Sequence, residues 1–181
     1  MIIKRNIPNL LSILRITLSP FIFFTIINES YSIALFMFCI GAISDFLDGY
    51  IARSFRLVSK IGKYIDPIAD KVFIISAFFA LSVVTEYVHL WMIYLILFRD
   101  ILVTFIRYFL KNKGMQYEAD FFGKGKTALQ VFVVIAGILI LKLNPSFGYL
   151  IEDLMVVCVL ITCASGINYL YSYVNLLVYE K

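Results

Sequence analysis

The chain has 181 residues, of which 62% are hydrophobic and only 15% charged, with a mean hydropathy of +0.92 and a formal net charge of +4. Soluble domains average roughly 45–50% apolar residues, so this composition excludes an ordinary soluble core and fits a polytopic membrane protein. The positive charge gives no argument for nucleic acid, because it is gathered into short connections between apolar runs.

A membrane-spanning helix needs about 20 apolar residues. Six stretches qualify, at about 9–28, 31–50, 65–85, 90–110, 126–143 and 149–176, which predicts an all-α protein of six transmembrane helices in one domain, 1–181. Pro8 suits the opening of the first helix, where a missing N–H removes no intrahelical bond. That stretch is too long for a signal sequence and has no small-residue cleavage site after it. Arg15 lies within this first helix and needs a polar partner. The second run loses its apolar character at its end, and the last is long enough to tilt.

The connections alternate in charge. Lys4, Arg5, Arg53, Arg56, Lys60, Lys63, Lys111, Lys113, Lys124, Lys126 and Lys181 fall on one side, and Lys142 alone on the other. The positive-inside rule then puts both termini in the cytoplasm.

The segment SDFLDGYIARSFRLVSKIGKYIDPIADKVF, Ser44 to Phe73, carries four aspartates at that cytoplasmic boundary. Asp45 and Asp48 are spaced i, i+3, and Asp66 and Asp70 i, i+4, so each pair shares one face of a helix. A basic turn joins the two helices, which predicts antiparallel neighbours whose carboxylates meet. One aspartate at a helix centre costs roughly 2.5–3.5 kcal/mol on insertion scales, and four together repel one another. Clustered carboxylates suit hard ions, Mg²⁺ or Mn²⁺, and four could hold two ions roughly 3.5–4 Å apart. Gly49, Ala52 and Gly62 leave open volume beside them, and Arg53 can bind a phosphate through two hydrogen bonds. The plainer reading is a knot of salt bridges with Arg53, Arg56, Lys60 and Lys63. The interleaving of glycine, alanine and arginine with two carboxylate pairs favours a ligand site instead.

Asp45-x-x-Asp48-Gly49-x-x-Ala52-Arg53, eight residues, then Gly62-x-x-x-Asp66-x-x-x-Asp70 resembles the signature of the CDP-alcohol phosphatidyltransferase family. The resemblance implies a six-helix membrane enzyme, a homodimer, that moves a phosphatidyl group from a CDP-linked lipid to an alcohol and releases CMP. It implies that Asp45, Asp48, Asp66 and Asp70 hold two metal ions, and that Asp70 is also the general base. It implies that Gly49, Ala52, Arg53 and Gly62 accommodate the CDP part, with Ser59 near the diphosphate. The opening NIPNLLSILRITLSP, Asn6 to Pro20, is similar to family members that use glycerol 3-phosphate, which implies a place for Asn9 beside the CDP-lipid.

Three further features bear on the acceptor. In FRDILVTFIRYF, Arg99 and Arg107 are eight residues apart, hence about 80° around and about 12 Å along a helix, and can line one cavity. Asp100 lies nearly on the face of Arg107 and is expected to orient it. In FGKGKTALQ, Lys124 and Lys126 fall at the start of the fifth helix; the spacing is not that of a nucleotide phosphate loop. Arg99, Arg107, Lys124 and Lys126 together predict a cationic pocket for an acceptor that carries its own phosphate. The resemblance implies CDP-diacylglycerol and membrane lipids as partners, and with this pocket it favours glycerol 3-phosphate as the acceptor. Inositol phosphate, phosphatidylglycerol and serine remain alternative acceptors, and a divalent-cation transporter and a lipid-binding scaffold are the readings from other classes. Cys39, Cys158 and Cys163 form no paired pattern, and His89, the only histidine, has no assigned role.

Overall fold

The computed structural model describes residues 2–55, 62–112 and 121–179, with side chains described for 10–46, 65–66, 68–110 and 125–174. Among these residues there are six α-helices, α1 (Ile2–Ile27), α2 (Tyr31–Phe55), α3 (Gly62–Val84), α4 (Leu90–Asn112), α5 (Phe121–Leu143) and α6 (Tyr149–Tyr179), and a single turn of 3-10 helix at Pro145–Phe147. The shortest have 23 residues and so reach about 35 Å, the thickness of a hydrocarbon core with a margin. Leu10–Ile27, Gly125–Leu143 and Pro145–Val174 are long and apolar enough to cross a membrane by length and composition, and Tyr31–Phe46 is a shorter apolar stretch. In α2 that stretch ends where the aspartates begin. In α4 the apolar run is interrupted by Arg99, Asp100 and Arg107.

Two expectations change. α1 begins at Ile2, so Pro8 lies in the second turn instead of opening the helix. Proline near a helix N-terminus removes few bonds, and the chain continues through it. Among the described residues, α2 and α3 also approach each other little backbone to backbone. α1 packs extensively against both and lies between them. α2 and α3 touch chiefly through stacked rings, Phe38 on Phe73, with centroids 4.8 Å apart and planes 11° from parallel.

The turn from α1 to α2 is only Asn28–Glu29–Ser30. Ser30 N–H donates to the Thr25 carbonyl and Glu29 N–H to that of Ile26, both at 2.9 Å. This pair of bonds closes the helix with one left-handed residue, here Glu29 at φ 56° where glycine is usual. At the same end of the bundle as one another, Thr85–His89 and Asn144–Gly148 meet. A Cβ on Gly148 would lie 2.3 Å from the Tyr87 ring, so only glycine lets these connections touch.

The buried core runs through all six helices, from Ile22, Ile26, Phe38 and Phe73 to Phe78, Ile93, Val134 and Met155. Around it the surface is apolar: Phe36 is 67% exposed, Phe105 67% and Ile167 68%. Water would not tolerate so continuous an apolar surface, whereas lipid would, and the structure is that of a membrane protein.

Candidate active site

The end of the bundle away from Tyr87 and Gly148 holds two polar clusters, one on each side of α3. The first lies between α1, α2 and α3. Arg15 is 1% exposed, and its Nη1 donates to Oδ1 of Asp45 on α2 and to Oδ1 of Asp70 on α3. One turn earlier on α1, the buried Ser12 hydroxyl donates to Oδ1 of Asp66, and Arg15 Nη2 lies 3.5 Å from Ser12 Oγ. The three groups are level for a simple reason. Arg15 is about 18 Å of helix from Ile27, Asp45 about 21 Å from Tyr31 and Asp70 about 21 Å from Val84, at a rise of about 1.5 Å per residue.

Close packing sets the register. Gly41 is one turn before Asp45, and a Cβ there would lie 2.3 Å from Phe73 Cζ. Phe73 is in turn three residues after Asp70. The bare α-carbon of Gly41 thus lets the Phe73 ring slide under α2, and this contact fixes where the two carboxylates stand.

The second cluster joins α3, α4, α5 and α6. Arg99 Nη1 donates to Asp100 Oδ1 at 3.2 Å, and Nη2 to Ser165 Oγ on α6 at 2.6 Å. Lys126 Nζ, at the start of α5, pairs with the same Asp100 Oδ1. Lys71 Nζ donates to the Asp100 carbonyl at 3.1 Å and to Thr104 Oγ1 at 2.6 Å. Two cations therefore share one carboxylate and a third, Lys71, holds the backbone carbonyl of the same residue, a surplus of positive charge in a setting where charge is costly. Gly166 makes room for this: a Cβ there would lie 2.8 Å from Arg99 Cγ. One turn along α5 from Lys126, Gln130 is 2% exposed and its Nε2 has no hydrogen-bond partner among the described residues.

Lys71 follows Asp70 directly, about 100° around α3. The helix thus points a carboxylate at α1 and α2 and a cation at α4, and the two clusters are adjacent by construction.

Of the residues singled out from sequence, Asp45, Asp66 and Asp70 are brought together with α1, and Arg99 and Lys126 with Asp100. Arg107 is more exposed, with its guanidinium carbon 5.9 Å from the centroid of the Tyr169 ring on α6, and it stands near enough to Lys71 for the two charges to repel. Asp100 does not orient it. The side chain of Asp100 turns to Arg99 and Lys126, because α5 supplies a buried ammonium there and Arg107 faces α6 two turns further on. Asn9, Asp48, Gly49, Ala52, Arg53, Gly62 and Lys124 lie on described helices but their side chains are outside the described residues, and Ser59 is outside altogether.

Four participants went unnoticed in the sequence: Ser12, Lys71, Ser165 and Gly166. The signals were present. Lys71 is a charge inside an apolar helix, and Ser165-Gly166 is a small polar step in the longest apolar run.

The donors suit a hard cation. Oxygens of Asp45 and Asp70, from different helices, already converge on one positively charged nitrogen. Among the described residues no three His, Cys, Asp or Glu are gathered tightly enough to hold an ion, since Asp66 turns to Ser12 and the Asp48 carboxylate is not described.

Comparison with known proteins bears on the chemistry of these clusters. Residues 5–167 match the family model of CDP-alcohol phosphatidyltransferase. The chain is similar to the CDP-diacylglycerol–glycerol-3-phosphate 3-phosphatidyltransferase of Shigella flexneri serotype 5b (strain 8401), 30% identical over 174 residues that cover 91% of this chain and 93% of that protein. It is 37% identical over 126 residues to the protein of the same name from Aquifex aeolicus (strain VF5), covering 67% and 69% of the two chains. Against that of Escherichia coli (strain K12) it is 32% identical over 135 residues, 70% of this chain and 72% of the other.

Proposed function

The chain belongs to the CDP-alcohol phosphatidyltransferase family, and from that premise we propose that it transfers the phosphatidyl group of CDP-diacylglycerol to sn-glycerol 3-phosphate, giving phosphatidylglycerophosphate and CMP. One observation carries the choice of acceptor. Lys71, Arg99 and Lys126 crowd around Asp100 on the face of α3 next to the aspartates, and leave positive charge for an anion to neutralise. A neutral alcohol would gain nothing from that surplus, whereas the phosphate of glycerol 3-phosphate would gain charge-assisted hydrogen bonds from it. The unpartnered amide of Gln130 offers a further donor. Arg107 and Lys124, by their positions on α4 and α5, would guide the acceptor toward this seat.

On this reading the acceptor hydroxyl points along the adjoining face of α3 toward Asp70. Its oxygen forms a bond to the phosphorus that carries diacylglycerol, the bond from that phosphorus to the bridging oxygen breaks, and CMP leaves with the electron pair. The Asp70 carboxylate accepts the hydroxyl proton. Two Mg²⁺ or Mn²⁺ ions held by Asp45, Asp48, Asp66 and Asp70 would supply positive charge for the diphosphate and for the charge growing on CMP. Gly49, Ala52, Arg53, Ser59, Gly62 and Asn9 are the residues proposed to accommodate the CDP-lipid. The whole of 1–181 is proposed as one multi-pass domain, with this site at the cytoplasmic face, as the Lys/Arg asymmetry of its connections supports. Resemblance to the family supports a homodimer.

The test is an assay of purified protein in detergent with CDP-diacylglycerol, Mg²⁺ and labelled glycerol 3-phosphate. CMP release and a labelled phospholipid are expected together, and both are lost in EDTA. Inositol phosphate, serine and phosphatidylglycerol run in parallel. CMP release with one of those and not with glycerol 3-phosphate would refute the reading of the cationic cluster. No CMP release with any acceptor would refute the transferase itself.

A further inference from the structure

Arg15 differs from the other cations within the helices. Arg99, Lys71 and Lys126 gather on the acceptor side of α3, whereas Arg15 addresses the carboxylates. It is 1% exposed, and one of its nitrogens serves Asp45 and Asp70 at once. Ser12, fully buried one turn away, serves Asp66. Two residues of α1 therefore tie down three aspartates drawn from two other helices.

Each partner needs the other. A guanidinium in a membrane helix is costly unless it is paired, and it cannot escape by losing its proton. Two carboxylates aimed at one point repel each other unless a cation stands there. Arg15 Nη1 occupies that point, so a divalent ion bridging the same two oxygens must take its place.

We propose that Arg15 is a built-in counter-ion that holds the aspartates of α2 and α3 together in the metal-free protein and is displaced from them by the first divalent ion to bind. The inference rests on the metal-site reading above. Metal binding then becomes an exchange of cations, and its affinity is set partly by the strength with which Arg15 holds on.

The test uses the full chain in detergent, with Mn²⁺ as the probe. Its binding is followed by electron paramagnetic resonance, and thermal unfolding is recorded in EDTA and in saturating Mn²⁺. Arg15→Gln removes the competing charge, and Arg15→Lys keeps a charge but loses the planar fork. Arg15→Gln is expected to bind Mn²⁺ about tenfold more tightly, which corresponds to about 1.4 kcal/mol. It should unfold at lower temperature in EDTA and gain more from Mn²⁺ than the unsubstituted protein does. Arg15→Lys should bind Mn²⁺ with intermediate affinity, and it decides the matter alone if the glutamine variant does not fold. Mn²⁺ binding that is unchanged or weaker in the folded variants would overturn the displacement while leaving the metal site standing. No Mn²⁺ binding by the unsubstituted protein would overturn the metal site and this inference with it.

Discussion

Gly41→Ala tests whether the contact between α2 and α3 positions the two carboxylates. The added Cβ would lie 2.3 Å from Phe73 Cζ and 2.4 Å from Cε2, against about 3.5–4.0 Å for an ordinary carbon contact. The ring must give way by more than 1 Å, on the order of the difference between those distances. It has little freedom to do so, being 2% exposed and stacked on Phe38. Overpacking of this kind costs about 1–3 kcal/mol. Alanine recovers up to about 1 kcal/mol, because glycine is the poorer helix former. The net loss is therefore modest, roughly 0–2 kcal/mol when the full recovery applies. The effect on activity should be larger. Gly41 is one turn from Asp45 and Phe73 one turn from Asp70, so the displacement passes straight to the reacting groups. Misplacement by about 1 Å can cost about 100-fold in rate. The expected result is a small drop in melting temperature and a fall of tenfold or more in CMP release, on the order of half that limit in free energy. Phe73→Leu in the same chain should restore part of the activity by making room for the methyl group. Normal activity in Gly41→Ala, or strictly additive effects in the double variant, would refute the argument that this contact sets the site.

Other substitutions probe the remaining parts. Asp70→Asn should keep CDP-diacylglycerol binding and lose transfer by about 100-fold or more, within the range for a general base; near-normal turnover would remove Asp70 from that role. Arg99→Met should raise KM for glycerol 3-phosphate by about tenfold or more, the scale of one lost charge-assisted contact, and leave KM for CDP-diacylglycerol nearly unchanged; an equal rise in both would argue against a separate acceptor seat. Arg107→Ala, whose guanidinium lies over Tyr169, should raise the same KM less than Arg99→Met does. Glu29→Gly should stabilise the protein by about 0.5–1 kcal/mol, since a left-handed residue other than glycine costs roughly 1–2 kcal/mol and glycine returns part of that as entropy; an unchanged or lower melting temperature would count against strain in this turn.

Much of the fold could be read directly. Helix number and approximate limits follow from the apolar runs, and among the described residues three of the helices are long and apolar enough to cross a membrane. The observed helices extend the runs into polar flanks, α2 from about 50 to Phe55 and α1 back to Ile2, since polar residues at a membrane boundary continue a helix without cost to burial. Asp45, Asp66, Asp70, Arg99 and Lys126 were legible because charge within or beside apolar runs stands out.

Sequence by itself determined the class of protein, the run of aspartates at the ends of two apolar helices and the surplus of basic residues near α4 and α5. Helical periodicity says which residues share a face, but not which neighbour that face meets. Only the tertiary structure decided that α1 lies between α2 and α3, and so that Arg15 and Ser12 hold the aspartates. It also decided that Asp100 turns to Lys126 and not to Arg107, and that Lys71 joins the cations on the adjoining face of α3. These outcomes depend on packing between helices distant in sequence, where one absent side chain, as at Gly41 or Gly166, determines how closely two helices approach and which charges come within reach.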